Sequence, residues 1–109
     1  MDSELKKPAQ TKIWMEGDEI VRLYFKTSQL TFGSSQLHPG QTGAVDPGHP
    51  HSHEVFFCAR GNVLLRVGDV FHDMHEGDAV LVPPTIPHQL TNIGDERALI
   101  TWSLAPSEL

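Results

Sequence analysis

The sequence predicts an all-β fold, a sandwich or barrel of short antiparallel strands, and three observations predict it. Apolar, β-branched and aromatic residues cluster in short runs. No stretch of ten or more residues carries a clean 3.6-residue apolar period, so no amphipathic helix is expected. Turn residues interrupt the runs at intervals of roughly 8–12 residues, the spacing of all-β domains.

In chain order, residues 1–12 are polar and carry Pro8, and read as a loose arm or one that orders only against a partner. Residues 13–109 then form one domain, because 109 residues provide a single core and no interdomain cleft. The expected strands are 19–26, 29–37, 54–59, 62–67, 70–74, 79–82, 89–92 and 97–104. His38-Pro39-Gly40 and Asp46-Pro47-Gly48 break the chain because Pro presets φ and Gly supplies positive φ. Gly61-Asn62 and Gly68-Asp69 read as hairpin turns, and 76–78 and 93–96 as the next two turns. Runs such as Val55-Phe56-Phe57-Cys58-Ala59 are apolar on both faces, whereas a strand with one wet face alternates. Their outer face is expected to be covered by another strand or by a second copy of the chain, hence a homodimer.

Composition excludes several function classes. Eight Lys and Arg stand against fourteen Asp and Glu, a formal net charge of −6, with no basic stripe for a nucleic acid. No apolar run approaches the roughly 18–20 residues that span a bilayer, so no membrane partner is expected. The first residues, MDSELKKPAQTK, lack an apolar signal core, and Cys58 is the one cysteine. Both point to the cytoplasm.

Histidine stands out: there are seven, three of them within five residues, in Gly48-His49-Pro50-His51-Ser52-His53-Glu54. Side chains on an extended chain return to one face every second residue, so His49, His51 and His53 can share a face. Imidazole is the commonest metal ligand, and imidazoles with a carboxylate suit Zn, Fe, Ni, Cu or Mn. His88, on a turn before Gln89-Leu90-Thr91-Asn92, is a further ligand candidate.

The run from Gly43 through His49, His51 and Glu54 to Gly61 resembles the first signature of the cupin superfamily, G-x5-H-x-H-x3/4-E-x6-G. The run from Gly77 through Pro83, Thr85 and His88 to Asn92 resembles the second, G-x5-P-x-G-x2-H-x3-N, with Thr85 in place of Gly. The resemblance implies a small single-domain cupin, a jelly-roll barrel that is usually dimeric. It implies one divalent transition metal ion held inside the barrel by His49, His51, Glu54 and His88.

One departure falls at the metal. Only Ser52 and His53 separate His51 from Glu54, where the signature has three or four residues. With regular alternation His51 and Glu54 then face opposite ways. A β-bulge between them can restore the register. Alternatively, Pro50 ends the strand early and leaves His49 and His51 free to turn inward. Or His53 substitutes for one of them and Glu54 stands outside the ligands.

The family resemblance implies a metal-dependent enzyme of dioxygenase, isomerase or lyase type, acting on a small, soluble, oxygen-rich molecule. Glu54 is then the catalytic candidate if it is not locked as a ligand. The alternative is a non-catalytic barrel that binds or senses a small ligand. Cys58 and Phe56 are expected to share the face of Glu54, with Val55 and Phe57 turned outward. His72 and His75 are expected to face solvent.

Overall fold

The computed structural model describes residues 2–108. Among the described residues, nine strands form two antiparallel sheets: β1 (Lys12–Glu16), β2 (Glu19–Lys26), β3 (Thr31–Leu37), β4 (His53–Arg60), β5 (Asn62–Val67), β6 (Val70–His75), β7 (Ala79–Val82), β8 (His88–Asn92) and β9 (Ala98–Ala105). The larger sheet has the order β1-β2-β3-β9-β4-β7 and the smaller β6-β5-β8. They face each other as a jelly-roll sandwich. Among the described residues, no helix is long and apolar enough to cross a membrane.

The turn residues act where expected. Gly61, Gly68 and Gly77 all have positive φ and separate β4 from β5, β5 from β6, and β6 from β7. β1 is the strand that the pattern of apolar runs does not predict, because Ile13 and Met15 are exposed and only Trp14 and Glu16 turn inward. Lys12 opens this strand rather than closing the arm. The arm itself folds back on the larger sheet: Pro8–Gln10 make one 3-10 turn, and the Lys6 ammonium lies 5.5 Å from the Phe25 ring centroid.

The core lies between the sheets, with Val21, Leu37, Phe56, Ile100, Trp102 and Leu104 from one side and Val63, Leu65, Met74 and Leu90 from the other. β4 alternates strictly: Glu54, Phe56 and Cys58 are buried, while His53, Val55 and Phe57 are exposed. Gly33 lets the Trp102 ring cross β3 at close range, since a Cβ there would sit 2.3 Å from the ring. Trp102 is one of the residues that line an interior cavity.

Candidate metal centre

Four side chains meet at the base of that cavity: Asp46, His49, Glu54 and His88, with one ligand atom from each lying within 4.8 Å of the others. Three of them are members of the set implied by the resemblance. His51 does not join them, and Asp46 does.

The strand parity explains the change. β4 begins at His53, and Ser52 continues its alternation inward, with its hydroxyl donating to the Pro106 carbonyl. His51 and His53 therefore fall on the outer side, and both are exposed. No bulge lies between His51 and Glu54; the register shift in β4 comes later, between Cys58 and Arg60. The backbone of His51 is tied outward as well, since the Glu108 carboxylate accepts the N–H groups of His51 and Ser52, each at 2.9 Å. His49, two residues earlier, lies on loop backbone and turns inward. Gly48 at φ +98° makes that turn, and a Cβ there would sit 2.7 Å from the Thr85 backbone.

Asp46 enters by backbone pairing. Its N–H donates to the His88 carbonyl at 2.8 Å, and the His88 N–H donates back to the Asp46 carbonyl at 3.0 Å. Its carboxylate Oδ1 accepts the Gly48 N–H at 2.8 Å, an Asx turn, which leaves Oδ2 for the site. Sequence reading assigned Asp46 only to the turn. The one available signal was the shortened spacing after His51, which turns His51 and Glu54 to opposite faces.

Nε2 of His49 lies 3.4 Å from Asp46 Oδ2 and 3.5 Å from Glu54 Oε1. Nε2 of His88 lies 3.7 Å and 2.9 Å from the same two oxygens. The other nitrogen of His88, Nδ1, is 2.9 Å from the Ile86 carbonyl, which selects the tautomer protonated at Nδ1 and leaves Nε2 as a lone-pair donor toward the site. The Phe56 ring holds the imidazole edge-on from 5.4 Å.

The electrostatics follow from this crowding. The Asp46 carboxylate, then Glu54, push His49 up to about 10, against the opposing effect of burial. Burial pulls His88 down, but Glu54 and the Ile86 carbonyl outweigh it and raise the imidazole. Burial tends to raise Asp46, yet His49 and the Gly48 amide hold it below the ordinary carboxylate value. Two carboxylates thus stabilise positive charge among them.

The residues fit a divalent ion. Glu54 Oε1 and His88 Nε2 are buried 2.9 Å apart, and with the His88 proton on Nδ1 two lone pairs face each other there with no hydrogen between them. Orphaned buried polar atoms are costly and need an explanation. Two imidazoles and two carboxylates around one point are a donor set that first-row transition ions accept.

The four residues line a cavity that opens to solvent. Trp14, Val21, Phe56, Leu90, Trp102 and Leu104 give it apolar walls, and Glu16, Glu19 and Gln89 add polar ones. Glu19 was not singled out from sequence. It is 7 % exposed, its Oε2 accepts the Ser35 hydroxyl at 2.5 Å, and burial pushes its carboxyl up to about 7.

The remaining candidates lie elsewhere. Cys58 is fully buried in the core, with its thiol raised by burial. His75 is exposed, and His72 is half-buried on the Met74 face of β6 rather than open to solvent.

The family model described as "Cupin domain" matches residues 33–104. Glucose-6-phosphate isomerase of Thermococcus litoralis is 31% identical over 122 aligned positions, covering 95% of this chain and 64% of that protein. Protein SchB of Streptomyces halstedii is 31% identical over 74 positions, covering 68% of this chain and 53% of that protein. The chain therefore spans less than two thirds of the length of both curated relatives. An RmlC-like cupin from Shewanella frigidimarina NCIMB 400 superimposes with a TM-score of 0.80 at 20% identity, over 98% of this chain and 94% of that one.

Proposed function

This chain belongs to the cupin family, and on that premise we propose that it is a mononuclear metal-dependent enzyme, of dioxygenase, isomerase or lyase type, acting on a small oxygen-rich molecule. The observation that carries the reading is the convergence of Asp46, His49, Glu54 and His88 on one wall of a cavity, with a ligand atom of each within 4.8 Å of the others. The Thermococcus relative is named an isomerase, which supports the reaction class and leaves the substrate open. Fold likeness alone does not choose a chemistry.

Asp46, His49, Glu54 and His88 would hold the ion, which is Fe, Mn, Ni, Zn or Cu. When bound, such an ion acts as a Lewis acid on a carbonyl or hydroxyl oxygen. The chain's own residues do the rest. Ile86 and Gly48 orient His88 and Asp46. The two tryptophans, Phe56 and the leucines exclude water from the substrate. Glu54 is the catalytic candidate wherever its carboxylate is released from ligation, and Glu19 faces the same cavity with a carboxyl poised to exchange a proton near neutral pH.

The apolar walls also favour a second reading, a non-catalytic barrel that binds a small ligand and uses the ion structurally. Cytoplasmic residence is part of the proposal, supported by the single unpaired thiol of Cys58. So is a homodimer, supported by Val55, Phe57 and Leu81 on the outer face of the larger sheet, exposed by 39%, 41% and 60%.

The test is elemental analysis of the untagged protein and of four variants. About one ion per chain is expected in the wild type and in His51→Ala. Asp46→Ala and His88→Ala should weaken binding by at least ~100-fold. Loss of the ion in Glu54→Ala makes Glu54 a ligand; retention frees it for proton transfer. No ion in the wild type, even after reloading with each candidate metal, rejects the metalloenzyme.

A further inference from the structure

We infer that the cavity selects an uncharged, hydroxyl-bearing molecule over its phosphorylated or carboxylated counterpart, with Glu16 and Glu19 forming the wall that reads the hydroxyls. The inference deepens the proposed function and rests on it for the ion.

The charges that line the cavity carry the argument. Four carboxyl groups face it, from Glu16, Glu19, Asp46 and Glu54, and among the described residues no Lys or Arg lines it. Asp46 and Glu54 would balance a divalent ion, and the imidazoles, neutral once they ligate it, would add nothing. What remains is the wall of Glu16 and Glu19, which are register partners across the β1–β2 hairpin. An anionic substrate group finds no cation there beyond the ion itself, and meets two acids in a poorly solvated space.

The chain does not lack basic residues; it places them elsewhere. Arg22 and Arg97 line a separate groove on the outer face of the larger sheet. Lys12 lies over the cavity-lining Trp14, its ammonium 5.9 Å from the ring centroid, yet it is exposed and does not line the cavity.

The acidic wall is fixed in place. Glu16 accepts the Trp14 indole N–H at 2.9 Å. Glu19 is held by the Ser35 hydroxyl on Oε2, and Oε1 lies where a Cβ on Gly43 would come within 2.2 Å. A carboxyl accepts a hydroxyl hydrogen bond when ionised and donates one when protonated, so hydroxyls suit this wall in either state. The Gln89 amide, held by the Gly43 carbonyl at 3.0 Å, adds a neutral polar group, and Trp14 and Trp102 offer flat apolar surfaces.

Those two tryptophans are the only ones in the chain, so intrinsic fluorescence reports on this cavity. The full chain, reloaded with Mn and with its ion content measured, would be titrated with fructose and fructose 6-phosphate, and with glucose and glucose 6-phosphate. In at least one pair the neutral member should bind tenfold or more tighter than its ester. Glu16→Lys should narrow or reverse that ratio, and Lys12→Gln should leave it unchanged. Equal or tighter binding of both esters overturns the inference, and loss of that binding in Lys12→Gln would locate the missed cation. No fluorescence response to either neutral sugar also overturns it. Absence of bound ion in the same sample rejects the metal reading separately, because the binding ratio is measured independently of ion content.

Discussion

Asp46 is held by its own backbone before its side chain does anything. Reciprocal hydrogen bonds to His88 place it beside an imidazole whose other nitrogen is already committed. Glu19 shows a different residue-scale balance. Its carboxyl sits at about 7 in the folded protein against an ordinary 4.5, chiefly because burial disfavours the charge. The folded state therefore binds the proton more tightly than the unfolded chain does. Below about pH 4.5 both states are protonated and Glu19 costs nothing. Stability then falls as pH rises toward 7, and above 7 the full penalty is about 3 kcal/mol. Glu19→Gln keeps a partner for Ser35 but cannot ionise. Its stability relative to the wild type should grow by up to that amount between pH 5 and pH 8. Urea midpoints in chelator at the two pH values measure it, and a gap that stays constant would rule this account out.

At the scale of elements, the segment 83–87 before β8 and the loop between β3 and β4 form one unit. The Thr85 N–H donates to the His49 carbonyl at 2.8 Å, and Gly48 passes against the Thr85 backbone. Thr85 stands where the family signature has glycine and adopts φ +74°. A β-branched residue is strained there by roughly 1–2 kcal/mol. Glycine removes the strain and gives back part of the gain as chain entropy. Thr85→Gly should raise stability by about 1 kcal/mol with ion binding intact. Chemical denaturation checks the first part and elemental analysis the second; destabilisation would show that the threonine side chain contributes more than its backbone costs.

For the whole molecule, the exposed Val55, Phe57 and Leu81 belong to adjacent strands, with Val55 paired to Leu81 and Phe57 to Ala79. That exposed apolar surface supports the proposed homodimer. Sedimentation at micromolar concentration should give twice the chain mass, and Phe57→Lys should shift the population toward monomer. A wild type that sediments as a monomer would reject the homodimer. Solubility in the variant is helped by the added charge, so a monomer there is not confused with aggregation.

Much of this molecule was legible in one dimension. The all-β class follows from local chemistry: short apolar runs, a missing helical period, and Gly and Pro at the turns. β2, β5 and β7 fall on the expected boundaries because their ends are marked by such residues. Parity along β4 already implied that His51 and Glu54 face opposite ways, since a strand's side chains alternate without regard to the rest of the fold. β1 was not legible, because its apolar residues Ile13 and Met15 face outward and its inner face carries a single tryptophan and an acid. Nor was the partnership of Asp46 with His88. Those residues are distant in the chain, and only the pairing of the β3–β4 loop with the start of β8 brings a turn aspartate beside His88. Residue types and spacing determined where a site would form; the closing of two sheets decided which atoms reach it.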